Sequence, residues 1–254
     1  MPVNLILLLC AVIMIACIAG NKLSGRLGIP TLLLFIALGM LFGSDGIFRI
    51  QFEDYAFSEK VCSAALIIIM FYGGFGTKWS TAKPVAVQSV LLSTLGVLIT
   101  AGLTGLFCHF VLGVSLLEGM LIGSVLGSTD AASVFSILRS QRLNLKYGTA
   151  PMLEIESGSN DPCAYMLTVT ILSAMGSSVS AGSIAWSVFA QLLFGIGGGI
   201  LAAYAAGWVL RSTNLSSDGF ESIFLVAVAL ASYALPALLG GNGYLSAYIA
   251  GILL

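Results

Sequence analysis

The chain has 254 residues, 58% of them hydrophobic and only 8% charged, with a mean hydropathy of +1.05 and a formal net charge of -1. A water-soluble domain carries charge on roughly a quarter of its residues, so this composition excludes one and points to an all-α, polytopic membrane helical bundle. Acids and bases nearly cancel, which leaves no basic face for nucleic acid. The thirty glycines suit close helix packing in lipid.

The charged residues delimit the apolar runs. Val3 to Ala19 is the first, closed by Gly20-Asn21-Lys22 and Arg26. No positive charge precedes it and two follow, the reverse of a secretory leader, so it counts as a helix. The 18 uncharged residues between Arg26 and Asp45 make a second span, close to the ~20 that a bilayer requires. After a polar loop carrying Asp45, Arg49, Glu53, Asp54, Glu59 and Lys60, the third span fills Val61 to Thr77, and the fourth lies within Pro84 to Gly113. The fifth is Glu118 to Leu138, with Glu118 marking its outer end, and the sixth is Thr149 to Met175. The Gly/Ser-rich piece from Gly176 to Ser183 divides the 49 uncharged residues between Asp161 and Arg211, since Gly and Ser cluster at turns. The seventh span is then about Ile184 to Leu210, the eighth about Gly219 to Leu239, and a ninth starts near Gly243. Only 12 residues of that ninth span are present, so residues 1–254 read as one transmembrane domain truncated in its ninth span, with no soluble domain included.

Connections after odd-numbered spans hold Lys22, Arg26, Lys78, Lys83, Arg139, Arg142, Lys146 and Arg211, whereas those after even-numbered spans hold only Arg49 and Lys60. Lys and Arg favour the cytoplasmic side, so a multi-pass protein of the plasma membrane with its N-terminus outside is expected. Cys10, Cys17, Cys62, Cys108 and Cys163 all lie in apolar runs without C-x-x-C spacing and read as packing residues. His109, between Phe107 and Phe110, reads as a packed or interfacial histidine. Gly195 to Gly199 precedes no phosphate-binding strand and helix and reads as helix contact.

Four carboxylates interrupt this economy of charge in two neighbouring spans. Gly127-Ser128-Thr129-Asp130 lies in the fifth and Glu154-Ile155-Glu156-Ser157-Gly158-Ser159-Asn160-Asp161-Pro162 in the sixth. A charge in the membrane interior costs several kcal/mol unless something compensates it. Asp130 stands eight residues before Leu138, ~12 Å along a helix, and Asp161 stands 12 residues after Thr149, ~18 Å along, so both fall near the middle of a ~30 Å hydrocarbon layer. Glu154, Ser157 and Asp161 share one helix face, and Glu156 and Asn160 share another. Pro162 removes a backbone donor and releases the carbonyl of Gly158. Gly, Ser, Thr and Asp are poor interior helix formers, because their side chains bond local backbone, so the fifth span is expected to break at Gly127 to Asp130. Broken backbone at that depth is tolerated where it lines a cavity or binds something. Carboxylate, hydroxyl, amide and carbonyl oxygens are a hard-oxygen set, suited to Na⁺, K⁺ or H⁺. A buried carboxylate holds a proton or a metal ion but not both at once, the minimum requirement for exchange.

The pattern Gly-Ser-Thr-Asp-Ala-Ala (residues 127–132), followed by Glu-Ser-Gly-Ser-Asn-Asp-Pro (156–162), resembles the monovalent cation/proton antiporter superfamily in its electroneutral branch. The flanking Val134-Phe135-Ser136-Ile137-Leu138-Arg139 and Leu153-Glu154-Ile155-Glu156 are most similar to bacterial potassium/proton antiporters of cell-volume regulation and pH homeostasis. The resemblance implies the N-terminal part of an inverted-repeat antiporter fold with interrupted helices, a homodimer of about 13 helices per subunit, whose second interrupted helix lies beyond Leu254. It implies that Asp161 carries cation and proton in turn, with Asp130, Asn160, Thr129 and Ser157 completing the site and the monovalent cation held at Asp161 and Asp130. Thr129 would contribute largely through its backbone or hydroxyl oxygen. Glu156 would orient Asn160 and pair with an arginine of a later helix, while Gly158 and Pro162 shape the backbone. Asn160, where the electrogenic branch has a second aspartate, implies one proton per cation. No catalytic residue and no cofactor are expected beyond the transported ions. Glu154 is either a residue at the mouth of the site or a partner of Arg139 or Lys146.

Two other readings compete. An intramembrane aspartyl protease also needs two embedded aspartates, but it uses Tyr-Asp and Gly-x-Gly-Asp, and Gly241-Asn242-Gly243-Tyr244 lacks the acid. A channel or neutral-solute carrier would need rings of ligands from repeated loops, and no such filter sequence is visible. Cation-dependent dissipation of a pH gradient belongs to the antiporter alone.

Overall fold

The computed structural model describes residues 3–27, 31–140, 145–176, 180–213 and 220–254, and among these every regular element is helical. The helices are α1 (Val3–Leu27), α2 (Thr31–Phe42), α3 (Tyr55–Phe75), α4 (Trp79–Leu112), α5 (Leu116–Leu126), α6 (Ala131–Ser140), α7 (Thr149–Met175), α8 (Ala181–Ser212), α9 (Glu221–Leu238) and α10 (Gly243–Leu253). Stretches of α1, α3, α4, α8 and α9 are long and apolar enough to cross a bilayer. Of the residues invoked in the sequence reading, 28–30, Arg142, 177–179 and Gly219 lie outside the described residues, as do the side chains of Arg26 and Arg139.

The chain divides into two compact units, residues 1–59 and 60–254. In the first, α1 and α2 are joined by the hydroxyls of Ser24 and Thr31, 3.0 Å apart. α1 continues to Leu27, beyond the expected end at Ala19. Asn21 and Lys22 are exposed on its surface, because polar side chains reach water from an unbroken helix and their position marks the edge of the lipid rather than the end of the helix. α2 stops at Phe42, where Gly43 to Gly46 fold into a turn with Gly46 N–H bonded to the Gly43 carbonyl at 3.0 Å.

In the second unit α4 starts five residues before Pro84, which sits in a 3₁₀ turn near the helix start where its missing N–H does little harm. Two π turns, Leu92–Gly96 and Cys108–Leu112, widen α4 locally, and Gly113 ends it with a left-handed φ of +71°. His109 closes the same end, its Nδ1 2.8 Å from the Val114 carbonyl oxygen and its ring beside Phe110. α5 opens on a reciprocal cap: Ser115 accepts from Glu118 N–H and the Glu118 carboxylate accepts from Ser115 N–H at 2.9 Å.

α5 lies backbone to backbone on α4. A Cβ on Gly119 would fall 2.5 Å from the Gly105 carbonyl oxygen, and one on Gly123 would fall 2.2 Å from that of Ala101, the close approach that small residues permit in lipid. A 3.0 Å bond between the Ser124 and Thr168 hydroxyls then ties α5 to α7. α7 occupies the expected residues at both ends, and Ser180 caps α8. α8, α9 and α10 pack on one another, and α10 meets α3 over a core of Met70, Phe71, Ala229, Ala247 and Tyr248. Phe135 of α6 lies over Gly73 of α3 in the same core. Of the cysteines, Cys108 packs inside α4's contact face and Cys163 is half-buried, whereas Cys10 and Cys62 are exposed rather than packed.

Candidate functional site

The fifth span is broken where its composition says it should be. α5 ends at Leu126, residues 127–130 are non-helical, and α6 begins at Ala131. Asp130 is the reason α6 can start there: its Oδ1 accepts from Ser133 N–H at 3.2 Å, its other carboxylate oxygen takes the Ser133 hydroxyl, and its own carbonyl accepts from Val134 N–H. This is the capping arrangement of a helix N-terminus. The Asp130 side chain is exposed, and it shares no hydrogen bond with Asp161 among the described residues. Capping sets its direction.

Ser128 and Thr129 extend from the break to α7. The Ser128 hydroxyl donates to Asp161 Oδ1 in a very short hydrogen bond and lies 3.4 Å from Asn160 Oδ1. Asn160 is fully buried, and both amide hydrogens are used: Nδ2 donates to Thr129 Oγ1 at 2.6 Å and to Glu156 Oε1 at 3.1 Å. With its lone pair engaged, Thr129 lies 3.3 Å from Ser157 Oγ, which donates to Glu156 Oε2 at 3.2 Å. Hydroxyls can give one proton and accept others, whereas carboxylates only accept when ionised. The chain of donors thus fixes the side chains of Asn160 and Ser157 and satisfies both Glu156 oxygens. Asp161 is different. It is half-buried, and its second carboxylate oxygen has no hydrogen-bond partner among the described residues.

α7 passes through this region as one helix despite Pro162. Gly158 is required on its other face, because a Cβ there would lie 2.4 Å from the Tyr248 ring of α10. Glu156 and Thr129 also border a cavity of about 310 Å³ between the first π turn of α4, the break and the N-terminal half of α7, with Thr100 and Met152 in its wall. Glu154 is half-buried one turn before Ser157.

The structure therefore brings Thr129, Glu156, Ser157, Asn160 and Asp161 into one hydrogen-bonded cluster and holds Asp130 at its edge. Sequence reasoning missed Ser128, although the residue stood in the motif. In an extended segment successive side chains diverge, so Thr129 alone was expected at the site, and only the fold shows that Ser128 reaches α7 as well. It also missed Asn242, whose amide reaches α7 at 2.8 Å, because no local signal links residues 80 positions apart.

Residues 13–254 match the model of a family described as the transmembrane sodium/hydrogen exchanger. Among curated relatives, the K(+)/H(+) antiporter NhaP2 of Shewanella baltica is 38% identical over 99% of this chain and 44% of its own length. The K(+)/H(+) antiporter NhaP of Alkalimonas amylolytica is 37% identical over 98% of this chain and 43% of its own. The chain thus spans less than half the length of these relatives. Among solved structures, the sodium proton antiporter MjNhaP1 of Methanocaldococcus jannaschii superimposes with a TM-score of 0.78 at 25% identity, covering 98% of this chain and 62% of that one.

Proposed function

The chain belongs to the transmembrane sodium/hydrogen exchanger family, and from that premise we propose that the protein is a secondary active antiporter exchanging a monovalent cation for H⁺ by alternating access. K⁺ is the favoured cation, since relatives named as K⁺/H⁺ antiporters match 98% or more of the chain; Na⁺ uses the same oxygen chemistry. Exchange is one for one, with Asn160 supplying an amide where a second ionisable group would carry further charge. The protein acts in the plasma membrane with its N-terminus outside, as a homodimer, and needs no cofactor beyond the ions it moves.

The observation that carries this reading is the contrast between two carboxylates. Glu156 has both oxygens occupied by Asn160 and Ser157. Asp161 has one oxygen on Ser128 and one uncommitted, at the midpoint of a membrane-length helix. A committed carboxylate holds structure, whereas an uncommitted one takes a proton or an alkali ion in turn. Ser128, Thr129, Ser157 and Asn160 supply the remaining oxygen ligands, Asp130 adds negative charge at the edge, and the cavity beside Glu156 and Thr129 is the route by which water and ions reach them. Adding K⁺ or Na⁺ to everted vesicles that hold the full-length protein and an imposed proton gradient tests the proposal: cation-dependent dissipation supports it, and a gradient indifferent to both cations overturns it.

A further inference from the structure

On the side away from the break, α7 is held a second time. Pro162 is the middle residue of α7, and its carbonyl accepts a 2.8 Å hydrogen bond from Nδ2 of Asn242, in the turn between α9 and α10. That turn is built to deliver one side chain. α9 ends at Leu238, Gly240 takes a left-handed φ of +78°, and Gly241 N–H bonds back to the Pro236 carbonyl at 2.8 Å. A Cβ at Gly241 would lie 2.6 Å from Phe194 of α8, and one at Gly243 would lie 2.5 Å from Tyr233 of α9. Both flanks of Asn242 must therefore be bare, and the asparagine descends between two helices to reach a third.

Every polar group of Asn242 is used, and the residue is 1% exposed. Its N–H donates to the Gln191 carbonyl of α8 at 3.1 Å, its Oδ1 accepts from Leu245 N–H and so caps α10, and its Nδ2 goes to Pro162. α10 is in turn keyed to α3, where a Cβ on Gly251 would fall 2.1 Å from the Phe71 carbonyl oxygen. The turn of α7 just before this bond lacks a rung, because Pro162 has no N–H to donate to the Gly158 carbonyl. A bond to the Pro162 carbonyl restrains the peptide that follows Pro162, one residue beyond Asp161, where the helix has lost a rung.

We propose that Asn242 is a positioning residue for the cation site: through the Pro162 carbonyl it holds Asp161 in register against α8 and α10, opposite the hydroxyl of Ser128. This rests on the exchanger reading above. Groups that orient a ligand without touching the ion typically change its affinity by about 10- to 100-fold when removed, and that is the effect assigned to the Asn242 amide.

Two substitutions separate positioning from folding. Asn242→Ser keeps a capping hydroxyl for α10 and removes the amide. Asn242→Asp keeps the size and the cap while replacing the donor nitrogen with oxygen, so it serves if the serine variant fails to insert. In everted vesicles of the full-length protein, the cation KM rises about tenfold or more, with little change in Vmax per inserted molecule. In thermal melts of the purified proteins, the K⁺ or Na⁺ concentration giving half-maximal protection rises by the same factor, a readout independent of transport. An inserted variant with unchanged KM and unchanged protection overturns the proposal, and so does a loss of Vmax alone, which a merely structural role would produce. A wild type that is protected by the cation but moves no protons overturns the exchanger reading, and the melts of the variants then decide on Asn242. A wild type that no cation protects overturns both.

Discussion

The hydroxyl of Ser128, on the non-helical link between α5 and α6, donates to the carboxylate of Asp161 in the middle of α7. It is the only hydrogen-bond donor that Asp161 has among the described residues, and so the group that orients this carboxylate toward the break. Ser128→Ala should therefore weaken cation binding at Asp161. A hydrogen bond to a charged group contributes about 1.5–3 kcal/mol, which corresponds to a rise of roughly tenfold or more in cation KM. Proton release from everted vesicles, titrated with K⁺ and with Na⁺, measures it, and an unchanged KM would remove Ser128 from the site.

Asp161→Asn replaces the carboxylate of the cluster that keeps an uncommitted oxygen among the described residues by a group that neither binds nor releases a proton. Exchange should fall to the background of empty vesicles, while the amount of inserted protein stays at the wild-type level. Residual cation-dependent proton flux above background would show that the proton travels on another residue.

Asn160→Asp removes the amide that donates to both Thr129 and Glu156 and sets a carboxylate about 3 Å from Glu156 Oε1. Two carboxylates at that distance do not both ionise at neutral pH. The variant should bind an additional proton, and its transport should become dependent on membrane potential, whereas the proposed one-for-one exchange would leave the wild type indifferent. Transport measured across a series of imposed potentials gives the answer, and identical curves would count against the assignment of Asn160 to charge balance.

Gly158→Ala drives a methyl group into the ring of Tyr248. Overpacking of this kind costs about 1–3 kcal/mol, so the melting temperature of the purified full-length protein should fall. In a Tyr248→Ala background, where the ring is gone, the same methyl should cost less than it does beside the tyrosine, a coupling that a double-mutant cycle measures. An unaltered melt for the single variant would mean that α7 and α10 separate there without penalty.

Much of this arrangement is written in local composition. The interruption at Gly127 to Asp130 follows from four consecutive residues that prefer capping and turn geometry to a helix interior, and α7 occupies Thr149–Met175 because charge and glycine bound an apolar run there. The pairing of Glu156 with Asn160 follows from a four-residue separation on one helix. What could not be read is longer in range or depends on competition between bonds. Asp130 is drawn to the N-terminus of α6, a choice that spacing alone leaves open. Asn242 reaches α7 from another helix pair, so its sequence neighbours say only that the turn is tight. The π turns of α4 leave the apolar pattern almost unaltered, and α1 outruns its apolar stretch because a helix does not stop where lipid does.

The gap between α5 and α6 also has an electrical sense. A helix carries about half a unit of negative charge at its carbonyl end and as much positive charge at its amide end, and here the carbonyl end of α5 and the amide end of α6 flank residues 127–130. The positive end alone would repel an incoming alkali ion. Asp130, seated on that end through Ser133, cancels it, so that the interrupted span presents electronegative groups from both of its halves to an ion taken up at Asp161 as proposed.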